Sequence, residues 1–296
     1  MRLFRRGLDL QRSTLRTAVE ADLPRIARLF RDGAKRYYNF ANLDLPALLV
    51  TGTCILIESH DDGDLWAALV AGWPVDGTAW LRGCALTDGL AFGPALQALV
   101  PALHTELRAV GVQRVYYGGD DGADSWMVPA LTHRGYLHDT DVVVYEKRSM
   151  DMPATGNPRL RVRPAQAVDL TTVVAVDQDC FEAQWEKDDT ILSTAMQQGP
   201  LFLVVEHENQ VIGYAYATSH YGGRLVHLVR IAVRPQFQGL GAGVRLLAEV
   251  VAYARQLQAY TITLNTQAYN TRAQNLYRWF GFSLTGERQV ILRYDM

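Results

Sequence analysis

Cysteine is scarce in this chain of 296 residues: Cys54, Cys84 and Cys180 stand far apart, in no spacing that metal sites use. That scarcity excludes a disulfide framework and a cysteine-based metal site, and it suits a reducing cytoplasm. Net charge is also missing. Twenty-nine Lys and Arg against 31 Asp and Glu leave a formal charge of −2, so no overall field draws in nucleic acid or an anionic membrane. No uncharged apolar run approaches the roughly 20 residues of a membrane span. The basic start "MRLFRRGLDLQRS" is followed by no apolar stretch of signal-peptide length. What remains is 49% hydrophobic and 20% charged, the make-up of a soluble globular protein long enough for one large domain or two ordinary ones. The expectation is a cytoplasmic chain with no metal, nucleic-acid or membrane partner.

Near its midpoint the sequence becomes linker-like. "RSMDMPATGNPR" holds two prolines, a glycine and small polar residues. On either side the sequence repeats itself. "RTAVEADL" (Arg16 to Leu23) and "RPAQAVDL" (Arg163 to Leu170) share Arg, Ala, Asp and Leu at one spacing, 163 − 16 = 147 residues apart. "LTHRGY" and "LYRWFGF" place Gly135 and Gly281 at 281 − 135 = 146. One offset at both ends means two copies of one domain. The expected boundaries are 1–150, a linker at 151–158, and 159–296.

The second copy reads as "LRVRP" (strand), "VDLTTVVAVDQDCF" (amphipathic helix), a short helix, then strands "LFLVVE" and "VIGYAYATSH" around the turn "HENQ". "LVHLVRIAV" is a strong central strand, followed by the helix "VRLLAEVVAYARQLQ", the strand "YTITLN" and the helix "TRAQNLYRWF". "FSLTGE" and "QVILRY" read as a closing hairpin around Arg288 and Gln289. The class is α/β (α+β). Between the central strand and its helix, "RPQFQGLGAG" carries Gly239, Gly241 and Gly243. Such a turn exposes backbone N–H groups where the helix dipole is positive, which suits a phosphate; a plain connection whose glycines only fit the turn reads equally well. No Gly-Lys-Ser/Thr follows, and the spacing is not that of a dinucleotide fold.

The frame Gln238-x-x-Gly241-x-Gly243, after "IAV" and Pro235, resembles the acyl-CoA signature of the GCN5-related N-acetyltransferase (GNAT) superfamily. "NTRAQNLYRWFGF" adds Asn270, Ala273, Tyr277, Gly281 and Phe282 at that family's spacing. The resemblance covers residues 159–296 and implies two tandem acetyltransferase-fold domains, each a mixed, mostly antiparallel twisted sheet flanked by helices. It implies acetyl-CoA as co-substrate. Backbone at Ile231, Ala232 and Val233, freed where the central strand splays, would pair with the pantetheine arm. The amides of Gln238, Gly239, Leu240, Gly241, Ala242 and Gly243 would hold the pyrophosphate. Asn270 would bond the pantetheine, Ala273 would leave room for it, and Tyr277 would protonate the departing thiolate.

For the base, the splayed strands offer His227 and Asn265. Asn cannot accept a proton, so His227 is the candidate, against the plainer reading of a core histidine. A bulge between His227 and Ile231 would place them on opposite faces. "DQDCFEAQWEKDD" has six acids to one lysine and either draws in a cationic amine or is a solvated helix end. Its Phe181 and Trp185 resemble a pair in the acceptor loop of ribosomal-protein N-terminal acetyltransferases, and four-residue spacing also fits core packing. In the first copy Asp124, Met127 and Leu131 stand where the second has Asn270, Ala273 and Tyr277, and "LTDGLAFGPALQALV" lacks the glycine frame. That copy is expected to keep the fold without turnover. The function expected is acetyl transfer to a primary amine, of a small molecule or a peptide N-terminus. An acetyl-CoA-responsive binding module and a mycothiol-synthase-like acetyltransferase are the alternatives.

Overall fold

The arginine and aspartate of the internal repeat make the same structure twice. In a computed structural model that describes residues 7–39, 45–120 and 126–296, Arg16 forks onto both oxygens of Asp22 at 2.6 and 2.7 Å, and Arg163 onto Asp169 at 2.7 and 2.9 Å. Each aspartate also accepts a backbone N–H three residues earlier, from Val19 or Gln166. The arginine therefore ties the end of a first strand to the start of a first helix. Both carboxyls sit below their ordinary pKa, held there chiefly by the arginine bond; Asp22 falls to about 2.

From that anchor the first copy runs β1 (Ser13–Thr17), α1 (Leu23–Asp32), β2 (Lys35–Tyr38), α2 (Leu45–Thr51), β3 (Thr53–Ser59), β4 (Leu65–Val75), β5 (Thr78–Leu86), α3 (Phe92–Ala109), β6 (Arg114–Asp120), α4 (Met127–Thr132) and β7 (Leu137–Lys147). The second runs β8 (Arg161–Pro164), α5 (Leu170–Cys180), α6 (Asp189–Gln198), β9 (Leu201–His207), β10 (Gln210–His220), β11 (Leu225–Val233), α7 (Ala242–Gln256), β12 (Thr261–Gln267), α8 (Thr271–Trp279) and β13 (Ser283–Asp295). Glu208 and Asn209, both at positive φ, turn β9 into β10 where the sequence places "HENQ".

The chain divides into two compact units: Met1–Thr140 with Gln289–Met296, and Asp141–Arg288. This differs from a divide at 1–150 and 159–296, because two long strands change unit part-way. β7 leaves the first unit at Thr140, and its later residues pair with β12 from Lys147↔Ile262 to Val142↔Gln267. β13 leaves the second unit at Arg288, and its later residues pair with β6 from Gln289↔Asp120 to Asp295↔Arg114. The hairpin expected around Arg288 and Gln289 is therefore corrected to one through-running strand; "ERQV" carries none of the Gly, Asn, Asp or Pro that a tight turn needs. Residues 151–158 belong wholly to the second unit, along α7: Arg255 donates to the Met150 carbonyl at 2.6 Å, and a Cβ on Gly156 would fall 2.6 Å from the Arg245 nitrogen.

In each unit the strands follow one order, β1-β3-β4-β5-β6 and β8-β9-β10-β11-β12 with the exchanged strand beyond. Of these pairs only β5 with β6 and β11 with β12 are parallel. In the second unit Leu246, Leu247, Val250, Ile262, Leu264, Tyr277 and Phe280 fill the layer under α7 and α8. Val173, Val176, Leu192, Tyr214 and Tyr216 fill the layer under α5 and α6. Leu292, on the exchanged part of β13, is 2% exposed in the core of the first unit. Leu292→Ala is expected to cost about 2–5 kcal/mol, read as a shift in urea midpoint, although the site described below lies in the other unit. An unchanged midpoint would show that the exchanged strand adds little to the unit it joins.

Candidate active site

β11 carries an extra residue. Tyr216 faces Arg230 and Ala217 faces Leu228, so Val229 is bulged out of the ladder with β10. β11 pairs with β12 only as far as Leu228↔Leu264, while β12 runs on to Gln267 along β7. The two central strands therefore part at the bulge. Arg234 donates to the Ile212 carbonyl at 2.9 Å, and in an antiparallel ladder alternate residues bond to the same side. Ala232 thus bonds toward β10, and the N–H and C=O of Ile231 and Val233 face the edge that β12 has left. Of these groups the Val233 carbonyl accepts the Gln238 side-chain amide at 3.2 Å.

The slot leads to the glycine turn. Gly239 and Gly241 hold φ of +91° and +83°, where a side chain is strained, and Gly241 is the N-cap of α7 without a side-chain cap. Leu240 is exposed; its carbonyl accepts from Asn157 at 3.0 Å. The first helical bond is Arg245 N–H to the Gly241 carbonyl at 3.0 Å, so the amides of Ala242, Gly243 and Val244 have no intrahelical acceptor. A Cβ on Gly243 would touch Leu276 of α8 at 3.4 Å.

α8 brings Asn270, Ala273 and Tyr277 to the same layer. The Asn270 carbonyl oxygen caps the helix by accepting from Ala273 N–H at 3.1 Å, leaving its NH₂ as a donor. Ala273 lies against the α7–α8 core, as do Ile231 and Val233. Tyr277 is 4% exposed between Tyr145 and Phe282, and its hydroxyl has no hydrogen-bond partner among the described residues. Burial pushes its pKa well above the ordinary value, so it stays protonated at neutral pH.

The bulge puts His227 on the face opposite Ile231, as alternation through an extra residue requires. There its Nδ1 lies 2.9 Å from the Thr263 hydroxyl. Asn265, two residues along β12, shares that face and is exposed. Burial first, and His220 second, hold the His227 pKa below its ordinary value; the acidic segment is not among the causes.

The acidic segment is largely structural. Asp177 is fully buried, accepting Arg230 at 2.8 and 2.6 Å, Lys187 N–H at 2.8 Å and the Tyr214 hydroxyl. Asp179 pairs with Arg234 at 3.2 Å, and Asp188 caps α6. Phe181 lies under the Arg230 guanidinium at 3.4 Å from ring centroid to Cζ. Trp185 gives its carbonyl to Arg230 at 2.7 Å and its indole N–H to Tyr269 at 3.1 Å. Arg230, Asp177 and Tyr269 were not singled out by the sequence. The available signal was Arg230 itself, one charge inside an apolar strand, which needs a buried counter-charge.

In the first unit the same strand has the same bulge. Val70 faces Gly83 and Ala71 faces Leu81, which leaves Arg82 extra, 229 − 82 = 147 residues before Val229. β5 and β6 part after Trp80↔Tyr116. Here the edge is filled: β2 pairs with β5 from Lys35↔Leu86 to Tyr38↔Gly83, and the Tyr37 hydroxyl donates to the Leu81 and Gly118 carbonyls. Met127 and Leu131 are fully buried; Asp124 lies outside the described residues.

Residues 170–282 match the profile described as the Acetyltransferase (GNAT) family. This part of the chain is a GNAT domain. A Bacillus subtilis protein provisionally named ribosomal protein bS18-alanine N-acetyltransferase is 25% identical over 132 residues, 43% of this chain and 83% of that protein. The spore coat polysaccharide biosynthesis protein SpsD of Bacillus subtilis is 33% identical over 81 residues, and the chain spans only 27% of its length. Among solved structures, a tandem GNAT protein from the clavulanic acid biosynthesis pathway matches with TM-score 0.64 at 12% identity, over 96% of this chain and 98% of that one, which establishes the fold. Among the described residues no group of three His, Cys, Asp or Glu is placed to hold a metal, and no helix is long and apolar enough to cross a membrane.

Gly241→Val places a β-branched side chain at φ +83° and 3.3 Å from the Asn157 Cβ. Strain of about 1–3 kcal/mol should lower thermal stability. If the turn holds the acetyl-CoA that this family generally uses, a calorimetric titration should show most of that affinity lost as well; affinity retained in the variant would place the ligand elsewhere.

Proposed function

We propose that the second unit transfers an acetyl group from acetyl-CoA to a primary amine by direct attack, and that the first unit is catalytically idle. The parted edge at Ile231–Val233, running into an uncapped helix N-terminus, carries this reading. A pantetheine arm has amide groups to continue the ladder there, and a pyrophosphate has the amides of Ala242, Gly243 and Val244 to accept. The Asn270 NH₂ faces the same arm, and Ala273 spares it room. The acceptor amine attacks the thioester carbonyl, the C–S bond breaks, and Tyr277 gives its proton to the leaving thiolate. The amine's own proton passes to His227, kept unprotonated near neutrality by burial. Phe181, Trp185 and Asn265 line the acceptor's approach on the His227 face. The Bacillus relative's name favours a peptide N-terminus over a free small molecule. In the first unit β2 occupies the edge that pantetheine would need, and Leu131 has no proton to give.

Tyr277→Phe is expected to lower turnover about 10²–10⁴-fold while acetyl-CoA binding stays near the wild-type value. Turnover at the wild-type rate with chemistry limiting would assign the acid elsewhere. Titration of the full chain should give one acetyl-CoA per chain; two equivalent sites would contradict an idle first unit.

His227→Gln should depress the rate near neutral pH, with recovery at high pH as the amine deprotonates in solution. The fold resists protonating His227, so the unfolded chain binds the proton more readily and stability falls as pH drops below the ordinary histidine value; the variant should flatten that slope. A flattened stability slope with an unchanged pH–rate profile on the same preparation would return His227 to a structural role.

A further inference from the structure

The two units place corresponding segments differently, and the 147-residue offset shows which side chains separate them. β2 begins at Lys35 and ends at Tyr38; their counterparts are Glu182 and Trp185, since 182 − 35 = 147 and 185 − 38 = 147. In the first unit this segment is a strand along the parted edge of β5. In the second it is a short helical turn, Ala183–Trp185, beside the bulge of β11. Trp185 is held there by the Arg230 guanidinium, whose Nη2 reaches both the Trp185 carbonyl at 2.7 Å and Asp177 Oδ1 at 2.6 Å. Asp177 in turn fixes the following residue pair through Lys187 N–H at 2.8 Å. The counterparts of Arg230 and Asp177 are Gly83 and Phe30, since 230 − 83 = 147 and 177 − 30 = 147. No ion pair is possible between those two, and Phe30 instead lies against Tyr38, the last residue of the inserted strand, with ring centroids 5.4 Å apart.

We propose that Arg230, through Asp177, is a positioning residue that keeps the Glu182–Trp185 segment out of the acetyl-CoA slot of the second unit. The parted edge is a template for any strand with the right reach, and β2 shows that this segment of the fold has it. The Arg230 fork takes the Trp185 carbonyl and so fixes the last residue of the segment in its helical turn. It also stacks on Phe181 at the start of the segment, so both ends are anchored. The proposal rests on acetyl-CoA binding at Ile231–Val233. If it is right, the slot and the Glu182–Trp185 segment are coupled: losing the pair lets the segment compete with acetyl-CoA for one edge.

The test uses the full chain and two variants. Asp177→Leu with Arg230→Met removes both charges together and orphans neither; Arg230→Lys keeps a cation for Asp177 but cannot fork to Trp185 as well. In wild type the Trp185 N–H already donates to the Glu182 carbonyl at 2.7 Å, so the reading is a difference: hydrogen exchange without acetyl-CoA should show the 182–185 segment gaining protection in the double variant over wild type, and added acetyl-CoA should reverse that gain. If the loop fills the slot nine-tenths of the time, acetyl-CoA affinity falls about tenfold. The KM for acetyl-CoA should rise with it. A folded double variant with no gain of protection over wild type at 182–185 and with wild-type affinity overturns the proposal. Should the double variant not fold, Arg230→Lys decides: partial protection with several-fold weaker binding supports the proposal, and wild-type behaviour in both readouts overturns it. Wild type that fails to bind acetyl-CoA sinks the functional reading instead, and the exchange pattern without ligand still judges the role of Arg230.

Discussion

A strand interior to a sheet must satisfy its backbone on both edges, and the central strand of each unit loses its partner on one edge at a bulge. Everything that distinguishes the two copies follows from how that debt of hydrogen bonds is met. In the first unit the chain supplies its own strand, β2, and the one proton of the Tyr37 hydroxyl is shared between the nearby Leu81 and Gly118 carbonyls. In the second no strand covers the edge at Ile231 and Val233, where the Val233 carbonyl takes the Gln238 amide; the glycine turn bounds it at one end and a buried ion pair at the other. A parted edge is costly unless something occupies it. The same bulge, kept at the same offset, thus serves closure in one copy and, on our reading, a ligand in the other.

Much of this was legible in the sequence where the cause is local. The repeat of Arg, Ala, Asp and Leu marks a ring of bonds spanning only six residues, from Arg16 to Asp22 and from Arg163 to Asp169, so spacing alone preserves it. Gly239 and Gly241 were legible because positive φ constrains residue type directly. The helices α7 and α8 showed their apolar faces by period. Even the face of His227 depended on one question, whether a bulge intervenes, which the sequence could pose and only the register answers.

What escaped the sequence depends on distant pairings. Asp177 looked like one more acid in an acidic stretch; its partner lies 53 residues away on another element, and that partner turns a surface charge into a buried anchor. "KRYY" carries no strand pattern by alternation of apolar and polar residues, and it is a strand because a vacant edge of β5 accepts it. The closing hairpin failed for a similar reason. Two β-prone stretches in succession fit a hairpin by composition, but whether the chain turns or continues is decided by which neighbour offers the second edge.

The exchange of β7 and β13 also bears on how the chain can be made. Residues up to Thr140 emerge from the ribosome first, yet their sheet lacks the strand beside β6 until residues 289–295 have been synthesised. The first copy must therefore wait, with the flank of β6 uncovered, for almost the whole of the second to be translated. A pairing separated by so much chain is slow to close. The duplicated gene cannot shed one copy by a simple truncation, because each copy completes its sheet with residues encoded by the other. Idle or not in catalysis, the first half is retained by the topology of the fold.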